Sequence, residues 1–298
     1  MLKITRAADP IRVSQLVVTI YSPPGLGKTT LGFTAESPLL LDFDGGAYRA
    51  ANRKDSVQVT TWADIAGITA ADLAEFKTVV VDTAGRALDC LSADIIARNP
   101  KMGRGGALTL QGYGELKSTF IGWTKLLRSF GLDVVLLAHS DEQRSGDDLI
   151  ERLDMQGGSK NEVYKVSDAM GRLAIPVGQR SLNFSPTDTG FGKNPAQLGV
   201  LRVPDVAQDA RFLAGVIQGI KDHLNTASVE QKAEAERMEK LAADLAGLET
   251  LDELNKTVTE MSTSSPKDKA LLLSAGLKRG FDWDKKAKVF VSKTEVAA

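Results

Sequence analysis

Short aliphatic and β-branched runs alternate with amphipathic stretches through the first two-thirds of the chain. Leu16-Val-Val-Thr-Ile20 opens the series and runs into a Pro-Pro-Gly turn. The pattern then predicts a helix over about 28–36, strands at Pro38–Phe43 and Val57–Thr60, and a fourth strand at Thr78–Asp82. That fourth run is apolar on both faces, as a strand covered on both sides requires. A helix is predicted over about 84–97, followed by a Gly-rich break through Lys101–Gly106. Leu116, Phe120, Trp123, Leu127 and Phe130 then recur at spacings of four, three, four and three, the stripe of a buried helix face. Asp133–Ala138 is the next buried strand. Strands alternating with helices imply right-handed crossovers and a mostly parallel, twisted sheet flanked by helices, the α/β class. From about 170 to 204 short strands broken by Pro and Gly read as a hairpin annex.

The composition changes near residue 205. Residues 228–262 are rich in Ala, Glu and Lys and carry two apolar stripes, Met238/Leu241/Leu245/Leu248 and Leu251/Leu254/Val258/Met261. Thr250-Leu-Asp-Glu253 between them has capping-box form, which predicts two helices joined near Gly247. Ser262–Pro266 reads as a linker. From Pro266 to Lys293 eight Lys or Arg stand against three Asp, a cationic tail with interleaved aromatics. It suits either contact with DNA or a single-strand-binding partner, or docking as a capping helix and strand. The expected division is a core over 1–225 and a small helical C-terminal appendage over 226–298.

Composition narrows the function classes. With 43% hydrophobic and 25% charged residues over 298, the chain has enough apolar material for a sizeable core. A formal net charge of −1 supplies no global basic field, so any polyanion site is local. The lone Cys90 excludes an intrachain disulfide and fits a reducing cytoplasm; its setting beside Leu88 and Leu91 reads as core rather than nucleophile. No apolar run approaches the roughly 20 residues of a membrane span, and no signal-type stretch follows Met1. Two His and one Cys argue against a structural zinc site.

The candidate chemistry starts at Ser22-Pro-Pro-Gly-Leu-Gly27-Lys28-Thr29, a Walker A pattern except for serine in its first position. It lies between a predicted strand and a predicted helix, the context that a phosphate loop requires. Pro24, Gly25, Leu26, Gly27, Lys28, Thr29 and Thr30 form the expected ATP cradle. Glycines let backbone N–H groups converge on phosphate oxygens. Lys28 reaches the β and γ phosphates, and the Thr29 hydroxyl ligates Mg²⁺. Asp82, ending an apolar strand, is the expected Walker B acid and second Mg²⁺ partner; helix capping is its bland alternative. Asp82-Thr-Ala-Gly85 also matches a GTPase switch, but no Asn/Thr-Lys-x-Asp element reads guanine. Thr83 directly after Asp82, where AAA+ proteins carry glutamate, argues against that class. Asp44, in Leu40-Leu-Asp-Phe-Asp44-Gly-Gly46, is placed to orient an attacking water; the alternative is that Asp42 and Asp44 shape a turn. Tyr48 is a candidate for base stacking or for ordinary packing.

These residues resemble the RecA recombinase core, and more closely the short phage-encoded nucleotide-binding proteins related to it that act as single-strand annealing proteins. The resemblance spans about residues 13–204. It rests on the Walker A loop, Leu-Asp-Phe-Asp44, Val-Val-Val-Asp82-Thr83 and Leu-Leu-Ala-His139-Ser140. It implies a RecA-like P-loop NTPase core using ATP and Mg²⁺, with Asp44, shorter than the family's usual Glu, in the position of the base. His139 or Ser140 takes the place of the polar γ-phosphate sensor. Two loops would face single-stranded DNA: Arg98–Gly106, with Arg98, Lys101 and Arg104, and 141–165, with Arg144, Arg152 and Lys160 plus a hinge-like Gly157-Gly158. Acids in the second loop, Glu151 among them, cancel its positive charge. The family also implies a ring or filament of identical subunits with nucleotide between them, a neighbour's Lys193 or Arg202 reaching the γ-phosphate, and a cytoplasmic place in a bacterial host. Two other functions stay open: a ring motor or loader, and a DNA-binding module that uses ATP without significant turnover.

Overall fold

The computed structural model describes residue 9 and residues 11–145, 148–155 and 159–292, without the side chains of 144, 145, 148, 149 and 159. The chain forms two compact units. One is Val13–Leu224; the other comprises the described residues of Met1–Arg12 and of Asn225–Ala298.

In the larger unit the first apolar run forms β1 (Val17–Ser22), buried throughout. Then come α1 (Lys28–Gly32), β2 (Pro38–Asp42), β3 (Ser56–Gln58), α2 (Ala63–Ala66) and β4 (Thr78–Asp82). After α3 (Ala84–Arg98), a two-residue hairpin pairs β5 (Gly103–Arg104) with β6 (Ala107–Leu108). Next are α4 (Leu110–Ser129), β7 (Asp133–Ser145), β8 (Asp148–Leu153) and α5 (Ser159–Val166). The unit closes with β9 (Ala169–Ala174), β10 (Ser181–Asn183), β11 (Leu201–Arg202) and the start of α6 (Phe212–Ala246).

The strands lie in the order β11-β10-β9-β1-β7-β4-β2-β3, with β8 paired to β7 beyond this row. Pairing is parallel from β9 through β3. The valine-rich strands fill both faces. Val79, Val81, Val134 and Leu136 point into a cluster with α3 and α4, while Val18, Ile20, Val80 and Val135 meet α1 and α6 on the other side. Residues 170–204 form the expected hairpin, β9 with β10, and the pairing of β9 with β1 makes it the edge of this sheet.

α1 ends four residues earlier than the expected helix. Thr34 turns its hydroxyl back to Leu31 O and receives the backbone N–H of Leu213, so it anchors α6 rather than extending α1. α4 carries the predicted stripe: Leu116, Phe120, Trp123 and Leu127 are all buried. Its last turn is tied to the starting edge of the sheet, where Arg128 donates to Gln15 O (3.2 Å) and pairs with Asp168 (3.4 Å). Twenty residues at about 1.5 Å each carry the helix roughly 30 Å. That brings its first turn, and the β5–β6 hairpin before it, to the side where the parallel strands end.

The smaller unit holds the rest of α6, with α7 (Leu251–Glu260), α8 (Pro266–Lys278) and the hairpin β12 (Phe281–Asp284)–β13 (Val289–Ser292). The capping box at Thr250 and Glu253 is present as predicted. Ser265 and Asp268 form a second box at the start of α8, so the expected linker is a capped turn. The cationic tail is folded. Phe290 is buried against Leu245, Leu254 and Leu272, and its ring meets Trp283 edge-on at 5.0 Å. Gly276 permits this packing, since a Cβ there would fall 2.2 Å from the Phe290 ring.

Candidate functional site

At the ends of the parallel strands, the loop after β1 turns through Gly25 and Gly27, both at φ +84°, a conformation that side chains other than glycine's resist. Ser22, the departure from the Walker pattern, is ordinary extended strand and carries no such demand. Its carbonyl (3.0 Å), its hydroxyl (3.1 Å) and Pro23 O (3.0 Å) all accept from Lys28 Nζ. Pro24, Gly25, Gly27, Lys28, Thr29, Thr30, Asp44, Asp82 and His139 line a cavity of about 520 Å³, with Arg49 on its rim. Leu26 turns instead toward the apolar cluster under α1.

β7 lies between β1 and β4, with Ser22 paired to His139 and Asp82 to Leu137. This register sets His139 in the middle of the site. Its Nδ1 is 3.1 Å from Lys28 Nζ and its Nε2 is 3.4 Å from Asp44 Oδ2. An ammonium facing Nδ1 leaves the proton on Nε2, directed at Asp44. Of the two sensor candidates, His139 faces the cavity, and Ser140 donates to Glu151 instead. The two acids of the Asp42–Asp44 segment also divide. Asp42 accepts the backbone N–H groups of Gly46 and Ala47 and shapes the turn. Asp44 is thereby free to face His139, with Arg86 at 3.5 Å on its other oxygen.

Asp82 is 4% exposed and accepts from the Thr29 hydroxyl at 2.6 Å; the peptide bond after it is cis. These two hard oxygen donors stand side by side and fit Mg²⁺, which takes one or two protein ligands and keeps phosphate and water for the rest. Burial pushes the Asp82 carboxyl up, tempered by the Thr29 hydrogen bond. Asp44 is held below the usual carboxylate range, first by the His139 hydrogen bond.

Lys28 is 5% exposed, and burial lowers it from 10.5 to about 8 despite Asp82 and Asp44. Between these two values the unfolded chain keeps a proton that the folded chain has released, so stability contributed by Lys28 rises with pH there. Below about pH 8 the lysine is charged in both states and adds no slope. Without nucleotide, the melting temperature of the wild type therefore gains on that of Lys28→Met between pH 8 and 10.5. A constant difference would mean that burial does not depress this lysine.

The expected DNA-facing residues part company. Arg98 pairs with Asp94 (2.8 Å) and Glu115 (3.2 Å), so its one positive charge meets two negative ones and adds nothing to the loop's field. Arg104 is exposed on the β5–β6 hairpin and Lys101 on the helical turn Pro100–Met102 just before it, and neither makes an ion pair among the described residues. Arg152 stacks its guanidinium 4.3 Å from the Phe191 ring centroid. Lys160 is half-buried. Arg144 pairs its backbone with Leu149 in the β7–β8 hairpin, but its side chain, like the expected Gly157-Gly158 hinge, lies outside the described residues. Tyr48 is 70% exposed, with Arg49 over its ring.

Glu151, counted from the sequence among the acids that cancel its loop's charge, is buried and bonded by Ser140 and Arg172. It is thus removed from the charge of its loop. Nor do the annex cations reach the cavity from within the chain: Lys193 donates to Ser167 O (2.7 Å), and Arg202 faces the Gln179 amide oxygen. Burial raises the Cys90 thiol, in keeping with a packing role.

No described helix is long and apolar enough to cross a membrane. A family model described as an AAA domain matches residues 14–196. No curated protein matches the chain. Thr83 in place of glutamate therefore does not set the chain apart from proteins carrying that description, which corrects the expectation drawn from that residue.

Proposed function

The chain belongs to the AAA domain family, and from that premise we propose that it is a Mg²⁺-dependent ATPase whose nucleotide controls binding and annealing, or strand exchange, of single-stranded DNA. The P-loop domain binds nucleotide. The observation that carries the finer reading is β7. It runs unbroken from Asp133 through His139, at the nucleotide cavity, into the hairpin with β8 that ends at Ser145.

Lys28 holds His139 while its other partners are Ser22 and Pro23. A γ-phosphate competes for that ammonium. His139 then loses the donor on Nδ1, and the change is felt along the same strand in the hairpin. Asp44 accepts the proton of a water attacking the γ-phosphorus. The bond from that phosphorus to the bridging oxygen breaks, leaving ADP and phosphate. Thr29 and Asp82 would hold Mg²⁺, which would supply neutralisation of phosphate charge there. The position of Lys101 and Arg104 on the same side of the sheet supports a second contact with the DNA backbone.

Replacing Lys101 and Arg104 together by serine lowers the salt slope of single-strand binding by about 1.4, at ~0.7 per phosphate contact; Arg98→Ser leaves it nearly unchanged. Binding measured between 50 and 200 mM salt, roughly the range over which such slopes are read, checks this. An unaltered slope in the double variant excludes the hairpin and the turn before it.

The AAA description favours a second reading, a ring motor or loader. Complementary-strand annealing and duplex unwinding, each followed with ATP, separate the two. Nucleotide-dependent annealing supports the recombination reading; ATP-driven unwinding without annealing supports the motor.

A further inference from the structure

β9 and β10 form an antiparallel hairpin at the side of β1, with Ser181 opposite Ala174 and Arg172 opposite Tyr21. Its connection, residues 175–180, therefore emerges at the edge where the phosphate loop lies. Arg180 ends that connection. Its carbonyl accepts from Val203 N (2.9 Å), which fixes the backbone. One guanidinium nitrogen, Nη2, donates to Pro204 O at 3.3 Å. The other, Nη1, stands over the phosphate loop, 2.9 Å from where a Cβ on Gly27 would lie. The side chain is half-buried and makes no ion pair among the described residues. A guanidinium always carries its charge and is built to bridge oxyanions, so a half-buried one without a carboxylate, poised over a glycine of an anion-binding loop, lacks a counter-ion.

We propose that Arg180 is a phosphate-binding residue of its own chain's nucleotide site, closing over the loop at Gly27 from the β9–β10 side. The inference rests on the nucleotide reading above. It places within one chain a cation that the family resemblance assigns to a neighbour. Lys28 approaches the phosphates from inside the loop and Arg180 from outside it, so the polyphosphate is held between two positive charges.

The test measures affinities for ATP, inorganic tripolyphosphate and adenosine in the wild type, Arg180→Gln and Arg180→Lys. The expected result is a loss of about tenfold or more in Arg180→Gln for ATP and tripolyphosphate alike, the size of one charge-assisted contact. Adenosine binding stays unchanged, and Arg180→Lys recovers most of the loss because a single cation over Gly27 suffices. Equal loss in both variants would mean that Arg180 braces the loop by shape, and no loss in Arg180→Gln would remove it from the site; either overturns the proposal. Failure of the wild type to bind ATP at all would instead overturn the nucleotide reading on which it stands. If Arg180→Gln does not fold, the side-chain N–H resonance absent from Arg180→Lys decides: it shifts on adding tripolyphosphate to the wild type, or the proposal falls.

Discussion

Lys28→Ala weakens ATP binding by at least about a hundredfold, since two charge-assisted hydrogen bonds at ~1.5–3 kcal/mol each are lost. The argument begins with what the ammonium does before nucleotide arrives. Four groups surround Nζ within 3.1 Å: the Ser22 carbonyl and hydroxyl, the Pro23 carbonyl and His139 Nδ1. Burial makes this a costly place for a cation, which is why its pKa falls to about 8. A phosphate tail puts negative charge in direct contact with Nζ, where the protein's own contacts are neutral and its carboxylates, Asp82 and Asp44, act only from further off, so ATP raises that pKa and draws its affinity from the difference. Truncation at Cβ removes the charge while leaving Gly25 and Gly27 to shape the loop. Equilibrium titration with a fluorescent ATP analogue measures the effect. An affinity within a fewfold of the wild type would contradict the assignment of the loop.

Asp44→Asn lowers ATP turnover by about 10²-fold or more, the usual worth of a positioned general base, while ATP affinity changes little. Asparagine keeps an oxygen to accept from His139 Nε2, so the geometry of the relay survives and the missing element is charge. The acid limb adds a second readout. Because the His139 hydrogen bond, helped by Arg86 and Lys28, holds Asp44 below 3.8, turnover does not fall until the pH is below that ordinary carboxylate value. Steady-state phosphate release from pH 5 to 8 is then flat on its acid side. A limb near pH 6, or full activity in Asp44→Asn, would assign the proton to another group.

The parts of this site that were legible in the sequence are those written in consecutive residues. Gly25-Leu-Gly27-Lys28-Thr29 specifies its own turn, because left-handed φ values and a following helix start are local demands. The apolar runs ending in Asp42 and Asp82 likewise declare strands buried on both faces. What stayed hidden depends on which strands become neighbours. Arg180 is more than 150 positions from Gly27 in sequence and meets it only because β9 pairs with β1 and turns back as β10. Glu151 looks like one more charge in a polar loop until β8 pairs with β7 and sets it beside Ser140 and Arg172. Arg98 reads as a free cation in a Gly-rich loop, yet Asp94 is one helical turn behind it and Glu115 arrives with the packing of α4 on α3. Asp42 and Asp44 sit two residues apart, and only the turn geometry assigns one to structure and the other to the cavity.

The central claim is that nucleotide at the phosphate loop controls the grip on single-stranded DNA. Its most direct test is the affinity of the full chain for a labelled oligonucleotide without nucleotide, with ATP and with a non-hydrolysable ATP analogue, each with Mg²⁺. The account predicts tighter binding with ATP and with the analogue than with none, the analogue showing that occupancy rather than turnover sets the state. Equal affinity in all three conditions, or no binding in any, would contradict it.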